Sequence, residues 1–146
     1  MPLIRTEHWA TRELHQFLQE NKNITFKWGV TDCGLFAADA IKSFTGVDIA
    51  ADFRGKYTTQ IGAIKAFKTV AGGTTIADAA AHCAQKNGLT EHTHCLMAKR
   101  GDLVLLQNAG QLIAGIVHLN GRAVVSVSEK GILSQPITTV KRSWSV

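Results

Sequence analysis

The sequence predicts an α+β fold, with N-terminal helices packed on a C-terminal antiparallel sheet. Two observations carry this. Apolar residues recur at helical spacing in four stretches between residues 6 and 86, each with capping or stop residues at its ends. From residue 101 onward the pattern changes to short alternating runs separated by turn signals such as Asn120-Gly121. Helices followed by strands, rather than alternating with them, are expected when helices gather on one face of a small antiparallel sheet.

The first helix is expected over residues 6–20, with Thr6 as N-cap. Trp9, Ala10, Leu14, Phe17 and Leu18 form its core stripe, and His8 and His15 lie off that stripe, toward solvent. Asn21-Lys22-Asn23 ends it. A second helix begins at Cys33 after the polar turn Thr31-Asp32, carries Leu35, Phe36, Ala38, Ile41 and Phe44, and stops at Gly46. Residues 47–55 read as a turn or short helical piece, where Asp52 and Arg54 either anchor a loop or are solvated charges. Thr58 or Thr59 caps a third helix that ends at Gly72-Gly73, and Thr75 opens a fourth that closes at Asn87-Gly88. Residues 89–99 read as irregular. Strands follow over residues 103–106, 111–119, 123–128 and 131–133, and Pro136 confines what comes next to an edge or a turn.

The chain has 146 residues, a length that fits one domain over 1–146. With 45% hydrophobic and 18% charged residues, the composition excludes a disordered chain. No apolar run approaches the roughly 20 residues of a membrane helix, so no membrane partner is expected. Met1-Pro2-Leu3-Ile4-Arg5 lacks a signal-peptide core. Three cysteines, Cys33, Cys83 and Cys95, do not make a disulfide framework and fit a reducing compartment. The net charge of +5 and pI of 9.3 permit nucleic acid, an anionic cell-wall polymer or an acidic protein as partner. The cations are scattered, with no aromatic-interleaved basic stripe, which argues against nucleic acid.

Chemistry centres on Cys33. A thiol in the first turn of a helix meets unpaired N–H groups and a partial positive charge, both of which favour thiolate and lower the pKa. The competing reading is a small buried apolar residue. An activated thiol needs a base from elsewhere in the fold, and His118 on the second strand is the candidate, against a bland strand histidine. His92-Thr93-His94-Cys95, with His82 and Cys83, contains metal-ligand types at a spacing that matches no standard zinc pattern, so no metal site and no cofactor are expected.

Phe26-Lys27-Trp28-Gly29, followed by Asp32-Cys33-Gly34 opening a helix, resembles the NlpC-type cell-wall cysteine peptidases of the papain-like superfamily. Gly101-Asp102-Leu103-Val104 and Gly115-Ile116-Val117-His118-Leu119-Asn120-Gly121 are similar to that family's later strands. Ala51-Asp52-Phe53-Arg54-Gly55-Lys56-Tyr57 and the ending Arg142-Ser143-Trp144-Ser145-Val146 resemble a small phage branch encoded among tail genes. The resemblance implies a papain-like fold with Cys33 as nucleophile, His118 as base, and Trp28 and Asp32 beside them as binding positions. It implies a peptidase cutting peptidoglycan peptide bonds during phage infection, or a catalytically degenerate structural or assembly component of a phage tail tip. Phage tail proteins and peptidoglycan are the implied partners, and the virion or the host cytoplasm during assembly the implied location. The family pattern places its histidine two residues before the glycine of the Gly-Ile pair, and Ile113 stands there in this chain.

Overall fold

A computed structural model describes residues 3–146. Met1 and Pro2 of the N-terminal stretch lie outside the described residues. The described chain is α+β, with four α-helices and a six-stranded antiparallel sheet. None of the helices is long and apolar enough to cross a membrane.

The first helical segment opens as a π turn, Trp9–Glu13, and tightens into α1, Leu14–Glu20. Thr6 does not cap it. Its backbone N–H donates to the carbonyl of Phe44 at 2.9 Å, and its hydroxyl donates to Glu13 at 3.0 Å. Tying Thr6 to the end of the next helix displaces the start from residue 6 to residue 9. That next helix is α2, Cys33–Thr45, and it is apolar nearly all round, burying Leu35, Phe36, Ala37, Ala38, Ala40, Ile41 and Phe44. A helix with so little polar face belongs inside the fold. Here α2 lies between α1 and the sheet. Gly46 ends it in the left-handed conformation at φ +76°.

The remaining helices follow their local signals. Thr59 accepts the Gly62 N–H and caps α3, Gln60–Ala71. Thr75 and Asp78 form a reciprocal capping box on α4, Ile76–Lys86. Each such cap stabilises its helix by about 1 kcal/mol. The third helix packs on α4, which in turn reaches the sheet.

The strands are β1 (Thr90–Glu91), β2 (Leu103–Asn108), β3 (Gln111–Val117), β4 (Ala123–Ser128), β5 (Gly131–Pro136) and β6 (Val140–Ser145), in spatial order β1-β6-β2-β3-β4-β5. Two of them differ from expectation: β1 falls in the stretch read as irregular, and β6 is the chain's closing segment. Lys141-Arg142-Ser143 hides β6 from a hydropathy reading, because Ser143 is fully buried and donates its hydroxyl to the Cys95 carbonyl. Pro136 ends the edge strand β5, where a missing N–H costs no ladder bond.

Both sheet faces are dry. Leu103, Leu105, Ala114, Ile116 and Trp144 face the helices. Val104, Leu106, Val117, Val124 and Val140 form a second core on the other face with Ala98 and the partly buried Cys95, Ile113 and Ile137.

Asp102 fastens the sheet to both ends of the described chain. Its carboxylate is fully buried and takes four donors. Oδ1 accepts from the Arg5 guanidinium at 3.0 Å and the Val146 N–H at 3.1 Å. Oδ2 contacts His92 Nε2 at 2.9 Å and accepts the Lys99 N–H at 2.9 Å. Gly101 beside it has φ +81°, and a Cβ there would press on Arg5, Trp9 and Phe44. Removing this carboxylate leaves the partly buried Arg5 guanidinium without its counter-ion and two N–H groups without their acceptor. Asp102→Ala is therefore expected to lower stability by about 3–5 kcal/mol, read as a reduced urea midpoint with an unchanged slope.

Candidate active site

The approach to α2 is built from tight turns. The Val30 and Thr31 N–H groups both donate back to the Lys27 carbonyl. Gly29 stands at φ +82°, and any side chain there collides with the Tyr57 carbonyl oxygen. This loop delivers Asp32 as the N-cap of α2. Oδ1 accepts the Leu35 N–H at 3.0 Å, and Oδ2 accepts the Gly29 N–H at 3.0 Å and the Tyr57 hydroxyl at 2.6 Å. Asp32 is buried, and all three of its partners belong to this chain. Its role is to fix the helix start.

Tyr57 arrives through an ion-paired loop. Arg54 donates Nε to Asp48 at 2.7 Å and a terminal nitrogen to Asp39 of α2 at 2.7 Å. These carboxylates push the Arg54 pKa up, Asp48 first. Asp52 points the other way, accepting from Lys86 and contacting His82 at 3.1 Å on α4. Both charged residues singled out in residues 47–55 thus anchor the loop, and Tyr57 ends up against the start of α2.

Cys33 is the first residue of α2, and its surroundings reverse the expected protonation. Burial dominates and pushes the thiol up to about 11. The Ala114, Gly34 and Cys33 N–H groups oppose this, and the Asp32 charge reinforces it. By surface area Cys33 is only partly buried, so it is the crowding of protein atoms around the thiol that desolvates it. No imidazole is among the groups that set this value.

The strongest influence opposing that upward shift is the backbone N–H of Ala114. At this point β3 and β4 have parted: their ladder pairs Ile116 with Val125 and Val117 with Val124. Beyond it the Ser126 hydroxyl takes the Ala114 carbonyl. The Ala114 N–H, outside the β3–β4 ladder pairs, acts on the Cys33 sulfur. The helix-facing residues of β3 are thus Ala114 and Ile116, while Ile113 packs in the second core. The position where the family pattern has histidine turns away from Cys33.

His118 shares the alternation of Ala114 and Ile116 but stands beyond the end of β3. Four residues of extended chain place its Cα about 13 Å past that of Ala114. The fully buried Ile116 lies between them. The His118 ring is held locally, Nδ1 accepting the Asn120 N–H at 3.1 Å in the hairpin turn. Among the described residues, no hydrogen bond joins His118 to Cys33, and His118 is not among the groups that shift the thiol. Other histidines are also engaged elsewhere: His82 with Asp52, His92 with Asp102, and His94 with the Leu96 N–H. Among the described residues, no group of three His, Cys, Asp or Glu is placed to hold a metal ion. Trp28 is half-buried against the main core and meets Phe26 edge-on at 4.9 Å.

An apolar cavity of about 40 Å³ between α2, α4 and β3 is lined by residues including Gly34, Ala38, Tyr57, Ile76 and Ala114, and the cysteine on its wall is Cys83. The Cys33 site itself combines a thiol shifted toward its neutral form with N–H groups that oppose the shift. Sequence reasoning missed Tyr57 as the partner of Asp32, and the Ala114 N–H. A backbone donor carries no residue signature, and the contact from Tyr57 to Asp32 spans 25 positions.

This geometry has three measurable consequences. Asp32→Ala removes the α2 cap and leaves the Tyr57 hydroxyl without its acceptor, so stability is expected to fall by about 2–4 kcal/mol in urea unfolding. The second concerns reactivity with pH. Because only thiolate is alkylated, Cys33 should react with iodoacetamide at pH 7 about a hundredfold more slowly than a free thiol, with the rate still climbing toward pH 11. Peptide mapping separates Cys33 from Cys83 and Cys95. The raised value also means the unfolded chain releases this proton first, so stability should decline as pH rises from about 9 toward 11.

No curated protein matches the chain. Residues 4–146 match the model of a family described as "Domain of unknown function (DUF6950)", and the chain belongs to that family.

Proposed function

We propose that this chain is a non-hydrolytic NlpC-type domain of papain-like fold, acting as a structural or assembly component of a phage tail tip. The observation that carries the non-hydrolytic part is the environment of Cys33. Thiol hydrolysis requires a thiolate, an adjacent base and oxyanion donors. The N–H groups of Ala114, Gly34 and Cys33 are suited to the last role, but desolvation favours the protonated thiol. A base within hydrogen-bond reach is the part that general acid–base chemistry cannot omit. His118, the base candidate, is held in a turn two residues past Ile116. The tail assignment rests on the residues quoted above as resembling the phage branch, in particular Asp52-Phe53-Arg54-Gly55-Lys56-Tyr57. Those residues bear on assembly through rigidity: Arg54 and Tyr57 lock the loop to α2.

The test uses phage and purified protein together. The native chain and Cys33→Ala are expected to be equally inactive in a peptidoglycan-lysis assay. Phage carrying Cys33→Ala should form plaques at the native titre, and the chain should co-purify with tails or tail intermediates. Lysis by the native chain that Cys33→Ala abolishes would overturn the non-hydrolytic reading. Absence from both tails and assembly intermediates would overturn the tail role.

A further inference from the structure

A second cavity lies apart from Cys33, at the end of the sheet where the two ends of the described chain meet. It is a cleft of about 620 Å³, lined by Arg5, Trp9, Ala98, Lys99, Arg100, Asp102, Gly121, Ser145 and Val146. That size is within the range of small-molecule sites, roughly 300–1,000 Å³. Its polar character is one-sided. Three cations, Arg5, Lys99 and Arg100, share it with one side-chain carboxylate, Asp102.

That carboxylate is not available to neutralise the rest. Asp102 is fully buried, and both of its oxygens are occupied by Arg5, Val146, His92 and Lys99 N–H. Lys99 and Arg100 have exposed side chains and take part in no ion pair among the described residues. The two guanidinium groups are crowded around one ring: Arg5 lies 4.2 Å and Arg100 5.6 Å from the centre of Trp9. Burial lowers the Arg5 pKa, the charge and hydrogen bond of Asp102 oppose it, and the Arg100 charge adds a smaller lowering. Like charges gathered this closely are favourable when an anion lies between or over them.

The frame is also rigid. The Lys99 N–H donates to Asp102 Oδ2, and the Asp102 N–H donates back to the Lys99 carbonyl at 2.9 Å. Arg5 donates to the Arg100 carbonyl at 2.7 Å. The turn carrying Lys99 and Arg100 is thus held from both sides before any ligand arrives, which limits the ordering cost of binding.

We propose that this cleft binds a small oxyanion, a phosphate or carboxylate group, held by Arg100 and Lys99 over the Trp9–Arg5 floor. Arg100 offers a planar fork to the oxygens and Lys99 a point charge. The site is independent of Cys33 and stands whether or not the chain hydrolyses anything.

Titration of nitrogen-labelled protein with inorganic phosphate, and separately with citrate, tests this by NMR at pH 7 and low ionic strength. Saturable shifts are expected at the Trp9 indole N–H and at the Lys99, Arg100 and Gly121 N–H groups, with at least one probe. Saturation by phosphate alone or citrate alone assigns the chemical class. The Lys99→Ala, Arg100→Ala double variant should bind about tenfold more weakly or not at all, while Lys42→Ala, Lys65→Ala, distant exposed cations, should bind as the native chain does. Should the double variant lose its dispersed spectrum, Arg100→Gln is read in the same way. Failure of both probes to saturate these groups overturns the proposal. So does a double variant that titrates like the native protein.

Discussion

The buried carboxylate of Asp102 is the constraint on which the relation between the chain's parts depends. A charge this deep is tolerated only if its oxygens are fully bonded. The donors come from four separate places: Arg5 near the N-terminus, His92 after β1, the Lys99 turn, and Val146 after β6. Satisfying one side chain therefore specifies where both ends of the described chain sit on the sheet. It also explains why β6 is interior. The Val146 N–H reaches Oδ1 only if the last strand runs beside β2, and that places β6 between β2 and the short β1.

A second buried carboxylate does the same for the start of α2. Asp32 binds its own helix, the loop before it and Tyr57. The result is a thiol in a fixed position, surrounded by N–H donors. Position and donors do not by themselves make a nucleophile. Burial opposes the N–H groups and wins, lifting Cys33 from the ordinary 9.0 to about 11. A helix N-terminus contributes on the order of 1 kcal/mol when partly exposed, less than the desolvation of a buried thiolate. An adjacent imidazolium is the usual means of reversing that balance, and no imidazole acts on this sulfur.

What the sequence made legible was local. The ends of α2, α3 and α4 followed from Gly46, Thr59 and Thr75, because caps and stops act within a few residues. Alternation showed that Ala114 and Ile116 share a face, and that Ile113 does not. It did not show which face meets the helices, since period-2 patterning is silent on that when both faces are apolar. The structure settles it through the second core, where Ile113 packs beside Leu106 and Val117. The displaced start of α1 has the same origin. Thr6 has the chemistry of a cap, but Phe44, 38 positions away, takes its N–H.

The environment of Cys33 is a property of the packing around it more than of any one residue. Ala114 is buried, and Gly34, Ala38, Ala79 and Ala80 line the same recess. Small side chains here let α2 and α4 close on β3. An imidazole at Ala114 would enter this closely packed region, and overpacking a formed core typically costs about 1–3 kcal/mol. One at Ile113 would enter the opposite core, against Leu106 and Val117, as a buried polar ring out of reach of sulfur. The same seating of α2 on the sheet that brings these small residues together also desolvates the Cys33 thiol and shifts it toward the protonated form.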